Sequence, residues 1–171
     1  MNNNVKTKPN RSLNSCDIEI AIARHFNPRI NLIVPNVFWG LGFSYELDLI
    51  ILTQSEYASE VEIKTTISDL KAERLKRKTA HCSNKIRRLY FAVPETMSLQ
   101  ALDLIPEKAG LFSVGKNFKV TLIKAPKINM LAHKLSEKEI KKLHKLAAMR
   151  IWNLKEALLK SKQRNYNGQK E

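Results

Sequence analysis

The sequence predicts an α/β domain, a central mixed β-sheet flanked by helices, followed by a C-terminal amphipathic helix. Three observations carry this expectation. Segments of helical and strand character alternate in the order helix, strands, helix, strand, helix, strands. Two strands are joined by a short polar turn, which makes them an antiparallel hairpin. The following strand lies beyond a helical segment, so a right-handed crossover sets it parallel to its neighbour. A chain of 171 residues, 43% of them hydrophobic, can bury one ordinary core and is too short for two well-developed ones.

The opening MNNNVKTKPNRSLNS is polar and lacks the apolar core of a secretory signal, so residues 1–13 read as a flexible basic arm. Over residues 15–26, Ile18, Ala21, Ile22 and His25 fall near one helical face, and Asn27-Pro28 ends the run. Asn14 or Ser15 can cap this helix, while Asp17 and Glu19 suit its positive end. Residues 30–34 form a strand stopped by Pro35-Asn36. A loop with Phe38, Trp39, Gly40 and Gly42 leads to YELDLIIL at 45–52, and after a turn ASEVEIK occupies 58–64.

Residues 68–78 turn helical, capped by Ser68 or Asp69, with Ile67, Leu70 and Leu75 as a sparse apolar side. RRLYFAV at 87–93 is rich in aromatic and β-branched residues and stops at Pro94, as a buried strand does. A short helix at 98–105 precedes Pro106, and strands follow at 110–114 and 119–124. In the last helix Ser136 and Glu139 make a capping box, and Ile140, Leu143, Ala147, Ile151, Leu154 and Leu158 form an apolar stripe. Residues 126–160 are thus expected to pack this helix on a core at 14–125, with 161–171 as a disordered tail.

Thirty Lys and Arg against sixteen Asp and Glu leave a formal net charge of +14, which attracts polyanions and makes nucleic acid the expected partner. A spanning segment needs roughly 20 apolar residues, and no run approaches that. Cys16 and Cys82 have neither CxxC nor zinc-finger spacing, so they read as free thiols of a reducing, cytoplasmic protein.

The chemistry concentrates in the hairpin. Side chains two apart in a strand share a face, so Glu62 and Lys64 project together while Val61 and Ile63 point the other way. Asp48 lies on the preceding strand, among residues apolar enough to be central. Burying such charges costs several kcal/mol, on the order of a lost ion pair, unless they are paired or hold a cation. Should the register set Asp48 opposite the Glu62 region, two carboxylates converge on one divalent ion with an ammonium beside them. An acidic residue two before a Lys is by itself common as a solvated ion pair. The order of elements around it raises its weight.

Those elements resemble the PD-(D/E)XK, or restriction-endonuclease-like, superfamily. ELDLIIL is similar to its strand bearing the metal-binding Asp, VEIK to the following E-x-K strand, and ISDLKAE through RRLYFAVPE to the crossover helix and next strand. Within it, EIKTTISDLKAE followed by YFAVPE resembles the MmcB-like DNA-repair branch. The resemblance covers roughly residues 12–95. It implies a restriction-endonuclease-like core in which Asp48 and Glu62 bind Mg²⁺, with Mn²⁺ able to substitute, and Lys64 assists hydrolysis. A Glu on the first helix often joins that metal site; Glu19 is the candidate, with Asp17 and a plain exposed carboxylate as alternatives. The Pro that precedes the family's Asp is replaced here by Leu47.

Between 71 and 88, Lys71, Arg74, Lys76, Arg77, Lys78, Lys85, Arg87 and Arg88 stand against a single Glu73, a density suited to phosphate-backbone contact. The C-terminal lysines suit either a second stretch of backbone or a solvated helix face. Phe38 and Trp39 read as loop anchors before stacking residues, and His81 as incidental. The expectation is a Mg²⁺-dependent DNA endonuclease of repair, recombination or phage DNA processing. Its alternative is a non-catalytic nucleic-acid-binding module on the same fold. Cutting both strands of a duplex with one site each favours a symmetric homodimer.

Overall fold

The computed structural model describes residues 11–38, 41–77 and 83–167, with backbone alone for 74–77 and 164–167. The basic arm up to residue 10, Trp39, Gly40, Lys78, His81, Cys82 and the last four residues lie outside the described residues. The elements are α1 (Ser15–His25), β1 (Leu32–Val37), β2 (Leu47–Leu52), β3 (Ala58–Ile63), α2 (Ile67–Arg77), β4 (Ile86–Pro94), α3 (Ser98–Leu104), β5 (Gly110–Val114), β6 (Val120–Lys124) and α4 (Glu137–Asn167), with a 3-10 turn at Glu95–Met97.

Six strands form one sheet in sequence order, β1 to β6. β1, β2 and β3 run antiparallel, β3, β4 and β5 run parallel, and β6 returns antiparallel. The hairpin and the parallel crossover are therefore as the sequence predicts. β1 differs: it continues through Pro35, which pairs with Leu49. β1 is an edge strand, where one side of the backbone needs no ladder partner and a missing N–H is tolerated.

Alternation along the strands builds two apolar faces. On one, Leu49, Ile51, Val61, Ile63, Tyr90, Ala92, Phe112 and Val114 pack under Ile18, Ala21 and Ile22 of α1. That helix is anchored at its start by a capping box: the Asp17 N–H donates to Asn14 Oδ1 and the Asn14 N–H to Asp17 Oδ2, each at 2.9 Å. His25, expected on the apolar side, is exposed but sets its ring edge-on to Phe112.

The opposite face is covered in two halves. Leu143 and Leu146 of α4 lie with Val34, Ile50 and Leu52 over β1 and β2. Leu70 of α2 and Ala101 of α3 lie with Phe91, Val93 and Leu111 over β4 and β5. Between the halves runs β3, which on this side carries Glu60 and Glu62.

The stripe of α4 is only partly used. Leu143 is buried and Ile140 and Ala147 are half-buried, but Ile151, Leu154 and Leu158 are exposed. The sheet edge at β1 ends before the helix does. α4 also continues through Asn167, so residues 161–167 are helical where a disordered tail is expected. No helix among the described residues is long and apolar enough to cross a membrane.

Candidate functional site

The site grows from the β2–β3 hairpin. Leu49 pairs with Val61 and Ile50 with Glu60, so the register continued by one step sets Asp48 across from Glu62. Asp48 enters where the sheet opens: its Oδ2 accepts the Ile63 N–H at 2.7 Å. Glu62 is 4% exposed, in a strand whose six residues are all buried. Lys64, just past the strand end, donates its backbone N–H to the Ala92 carbonyl of β4, which fixes its Cα against the parallel ladder.

Around Lys64 Nζ gather three carboxylates. Glu62 Oε2 lies at 2.9 Å, Glu73 Oε2 of α2 at 3.6 Å and Asp48 Oδ2 at 3.9 Å. Burial draws the Lys64 ammonium toward its neutral form, but the charges of Glu62, Asp48 and Glu73 and the Glu62 hydrogen bond outweigh it and raise its pKa above the ordinary value. Burial and the charge of Glu62 push the Asp48 carboxyl up, against the Ile63 N–H and Lys64. Glu19, half-buried on α1, is pushed up by burial and by Asp48. The carboxylates therefore sense one another across the hairpin and helix, and Lys64 holds part of their charge in check.

The donor set has a definite metal preference. Hard carboxylate oxygens without sulfur or imidazole suit Mg²⁺ or Mn²⁺ and not zinc. Among the described residues no three His, Cys, Asp or Glu side chains stand together as a complete metal cage. Mg²⁺ ordinarily takes one or two carboxylates and keeps several waters, so the Asp48–Glu62 pair fits it. Glu19 is close enough to feel the charge of Asp48, and among the described residues it joins no group of three that could hold a metal. Asp17 is turned to other work, bonded to Arg11 at 2.6 Å and to the helix cap.

Of the basic residues, Lys71 is exposed on α2. The side chains of Arg74, Lys76 and Arg77 and all of Lys78 lie outside what is described. Lys85 and Arg87 are tied into the fold. Lys85 Nζ meets Glu139 Oε1 at 2.7 Å and bonds the Leu41 carbonyl, and the Arg87 guanidinium lies 3.8 Å over the Tyr57 ring. Arg88 is half-buried on β4. Phe38, expected as a loop anchor, is 61% exposed.

Two residues of this region escape a reading of spacing alone. Glu73 joins the Lys64 cluster, and its signal is that it stands as the one acid in the basic stretch from 71 to 88. Glu60 is 2% exposed and accepts from Tyr45 Oη at 3.3 Å; its signal is the shared face with Glu62.

Comparison with known proteins gives the following. The SPO1766 protein of unknown function from Silicibacter pomeroyi has a similar structure, with a TM-score of 0.59 and 16% sequence identity, covering 92% of this chain and 96% of that one. At that identity the likeness shows the fold alone. No curated protein matches the chain. A family profile described as DNA repair protein MmcB-like matches residues 8–158, most of the chain's length, and the protein belongs to this MmcB-like family.

Proposed function

We propose that this protein is a Mg²⁺-dependent DNA endonuclease on a restriction-endonuclease-like core, acting in DNA repair. The observation that carries the reading is the convergence of Asp48 and Glu62 from adjacent strands, with Lys64 Nζ 2.9 Å from the Glu62 carboxylate. The family's description as a DNA repair protein and the net charge of +14 support DNA as the partner.

Asp48 and Glu62 would hold the ion, which when bound polarises a phosphodiester oxygen and acidifies a water. The Ile63 N–H fixes one Asp48 oxygen, leaving that side chain oriented before any ligand arrives. Lys64 keeps its proton through neutral pH, its pKa being raised, so it acts here as a charge that orients a water or offsets the growing negative charge at phosphorus. Glu73, 3.6 Å from the ammonium, helps hold Lys64 within the cluster.

Cleavage of plasmid, single-stranded and branched DNA with Mg²⁺ or Mn²⁺ tests this directly. Glu62→Ala and Lys64→Ala are each expected to lower the rate by about 10²–10⁴-fold. Cleavage that survives both substitutions sinks the assignment.

One observation favours a second reading. The ammonium of Lys64 already sits among Glu62, Glu73 and Asp48, and the described residues hold no complete metal cage. A non-catalytic nucleic-acid-binding module would keep this cluster as a structural ion-pair network. Such a module binds DNA in a salt-sensitive manner and takes up no divalent ion.

A further inference from the structure

The outer side of α4 carries a pattern that the fold does not use. In a helix, positions three and four apart line up along one side. Lys138, Lys141, Lys145, Ala148, Trp152 and Lys155 follow that spacing and form one stripe, and all six are exposed. The stripe lies across the helix from Leu143 and Leu146, the residues that α4 buries. It is also distinct from Ile151, Leu154 and Leu158, which prolong the buried side past the edge of the sheet. Its first half is cationic. Its second half presents the Trp152 indole, 63% exposed, with Lys155 Nζ 4.8 Å from the ring centroid.

We propose that this stripe is a binding track for single-stranded DNA, with Lys138, Lys141 and Lys145 on its phosphates and an unpaired base stacked on Trp152. The inference goes beyond the proposed cleavage site and does not depend on it.

The chemistry of the stripe selects this occupant. Over its whole length α4 holds nine Lys and Arg against three Glu, so its partner is an anion. One of those acids, Glu139, is already engaged by Lys85. A row of cations leading to an aromatic ring is the combination that takes a single strand: the charges follow the backbone, and the ring offers a face to any base. Lys155 puts a further cation beside that ring, where the phosphate of a stacked nucleotide would lie. From Lys138 to Trp152 the axis runs about 21 Å, room for several nucleotides.

Other anionic or helical partners fit less well. A duplex keeps its bases stacked on one another, so it could use the lysines and leave the indole idle. A second copy of α4 would set cations against cations along the first half of the stripe. An anionic lipid surface takes up a continuous apolar face, and this stripe is apolar in one half only.

Fluorescence anisotropy of the 171-residue chain in chelator, where no metal-dependent turnover occurs, tests the inference. The probes are a labelled oligothymidylate and the same strand paired with oligoadenylate. Trp152→Ala is expected to weaken single-strand binding about tenfold and to leave duplex binding within about twofold. Trp152→Phe, which keeps an aromatic face, should recover most of the loss. Replacing Lys138, Lys141 and Lys145 together by Ala should make the salt dependence of single-strand binding shallower by about two log units per log of salt. Single-strand affinity that is indifferent to Trp152→Ala, or that falls no more than duplex affinity does, overturns the proposal. So does a Trp152→Phe variant no better than Trp152→Ala. Phosphatidylglycerol vesicles that displace the oligothymidylate, and are held through Trp152, would reassign the stripe to a membrane. Self-association that Trp152→Ala abolishes would reassign it to a second copy. The readout is binding without cleavage, so loss of the track leaves the nuclease reading standing, and loss of the nuclease reading leaves the track.

Discussion

Asp48 shows how a site of this kind weighs against its own fold. Its carboxyl is held above the ordinary value by burial and by Glu62, so the folded protein takes up a proton more readily than the unfolded chain. The charged form therefore costs stability at neutral pH. That cost disappears as the pH falls through the raised pKa and below the model-peptide value of 3.8. Asn in its place keeps an oxygen for the Ile63 N–H and removes the charge. Asp48→Asn should then unfold at a higher temperature than the wild type at pH 7 and at the same temperature near pH 3, as thermal melts at the two pH values would reveal. A lower melting temperature at pH 7 would mean that Asp48 serves the fold through Lys64. The trio itself was legible in the sequence, because period-two alternation placed Glu62 and Lys64 on one face and the short turn forced the hairpin. Glu73 was not assigned, since nothing in spacing says that α2 folds back far enough to bring its carboxylate within 3.6 Å of Lys64 Nζ.

At the scale of elements, α4 offers two tests. Its start is fixed by Glu139, whose Oε2 accepts from the Ser136 N–H at 2.9 Å and the Ser136 hydroxyl at 2.7 Å, while Oε1 faces Lys85. Burial pushes this carboxyl up, but the Lys85 and Ser136 bonds prevail and lower it to about 2. The folded pKa is depressed, so the contribution is full above the unfolded value of 4.5 and is lost as pH falls through about 2. Glu139→Gln is expected to cost about 1 kcal/mol at pH 7 by denaturant titration, with the gap closing toward pH 2. The second half of the helix behaves differently. Residues 151–163 are exposed throughout, so deleting residues 151–171 should shift the melting temperature by no more than about 2 °C. A larger loss would mean that Ile151, Leu154 and Leu158 are covered in solution. The capping box was readable because it is local, S-x-x-E over four residues. How far the apolar stripe is buried was not, because amphipathicity fixes a face of a helix and says nothing of where the sheet beneath it ends. Pro35 is the same lesson for a strand: it stops a central strand, and only the tertiary arrangement made β1 an edge.

Over the whole molecule, the alternation of helix and strand was enough to foresee the mixed sheet, since short turns and crossovers leave few topologies open. It did not foresee the trough on the sheet face, which exists because α4 and the α2–α3 pair cover different halves and leave β3's acids between them. The net charge of +14 belongs to this scale too, as a field and not a set of contacts. DNA affinity is expected to fall steeply with salt, with a log–log slope of about −0.9 per neutralised phosphate. Lys71→Ala, at an exposed position of α2, should make that slope shallower by about one. Lys85, engaged with Glu139, should instead affect stability first.

In the proposed function the Asp48–Glu62 pair, balanced here by Lys64, is a divalent-cation site. Calorimetric titration of the 171-residue chain with Mn²⁺ and Mg²⁺, beside Asp48→Asn and Glu62→Gln, tests this. One saturable site is expected in the wild type and is lost in both variants. Absence of divalent binding in the wild type, in a protein that still binds DNA in a salt-sensitive way, would contradict it.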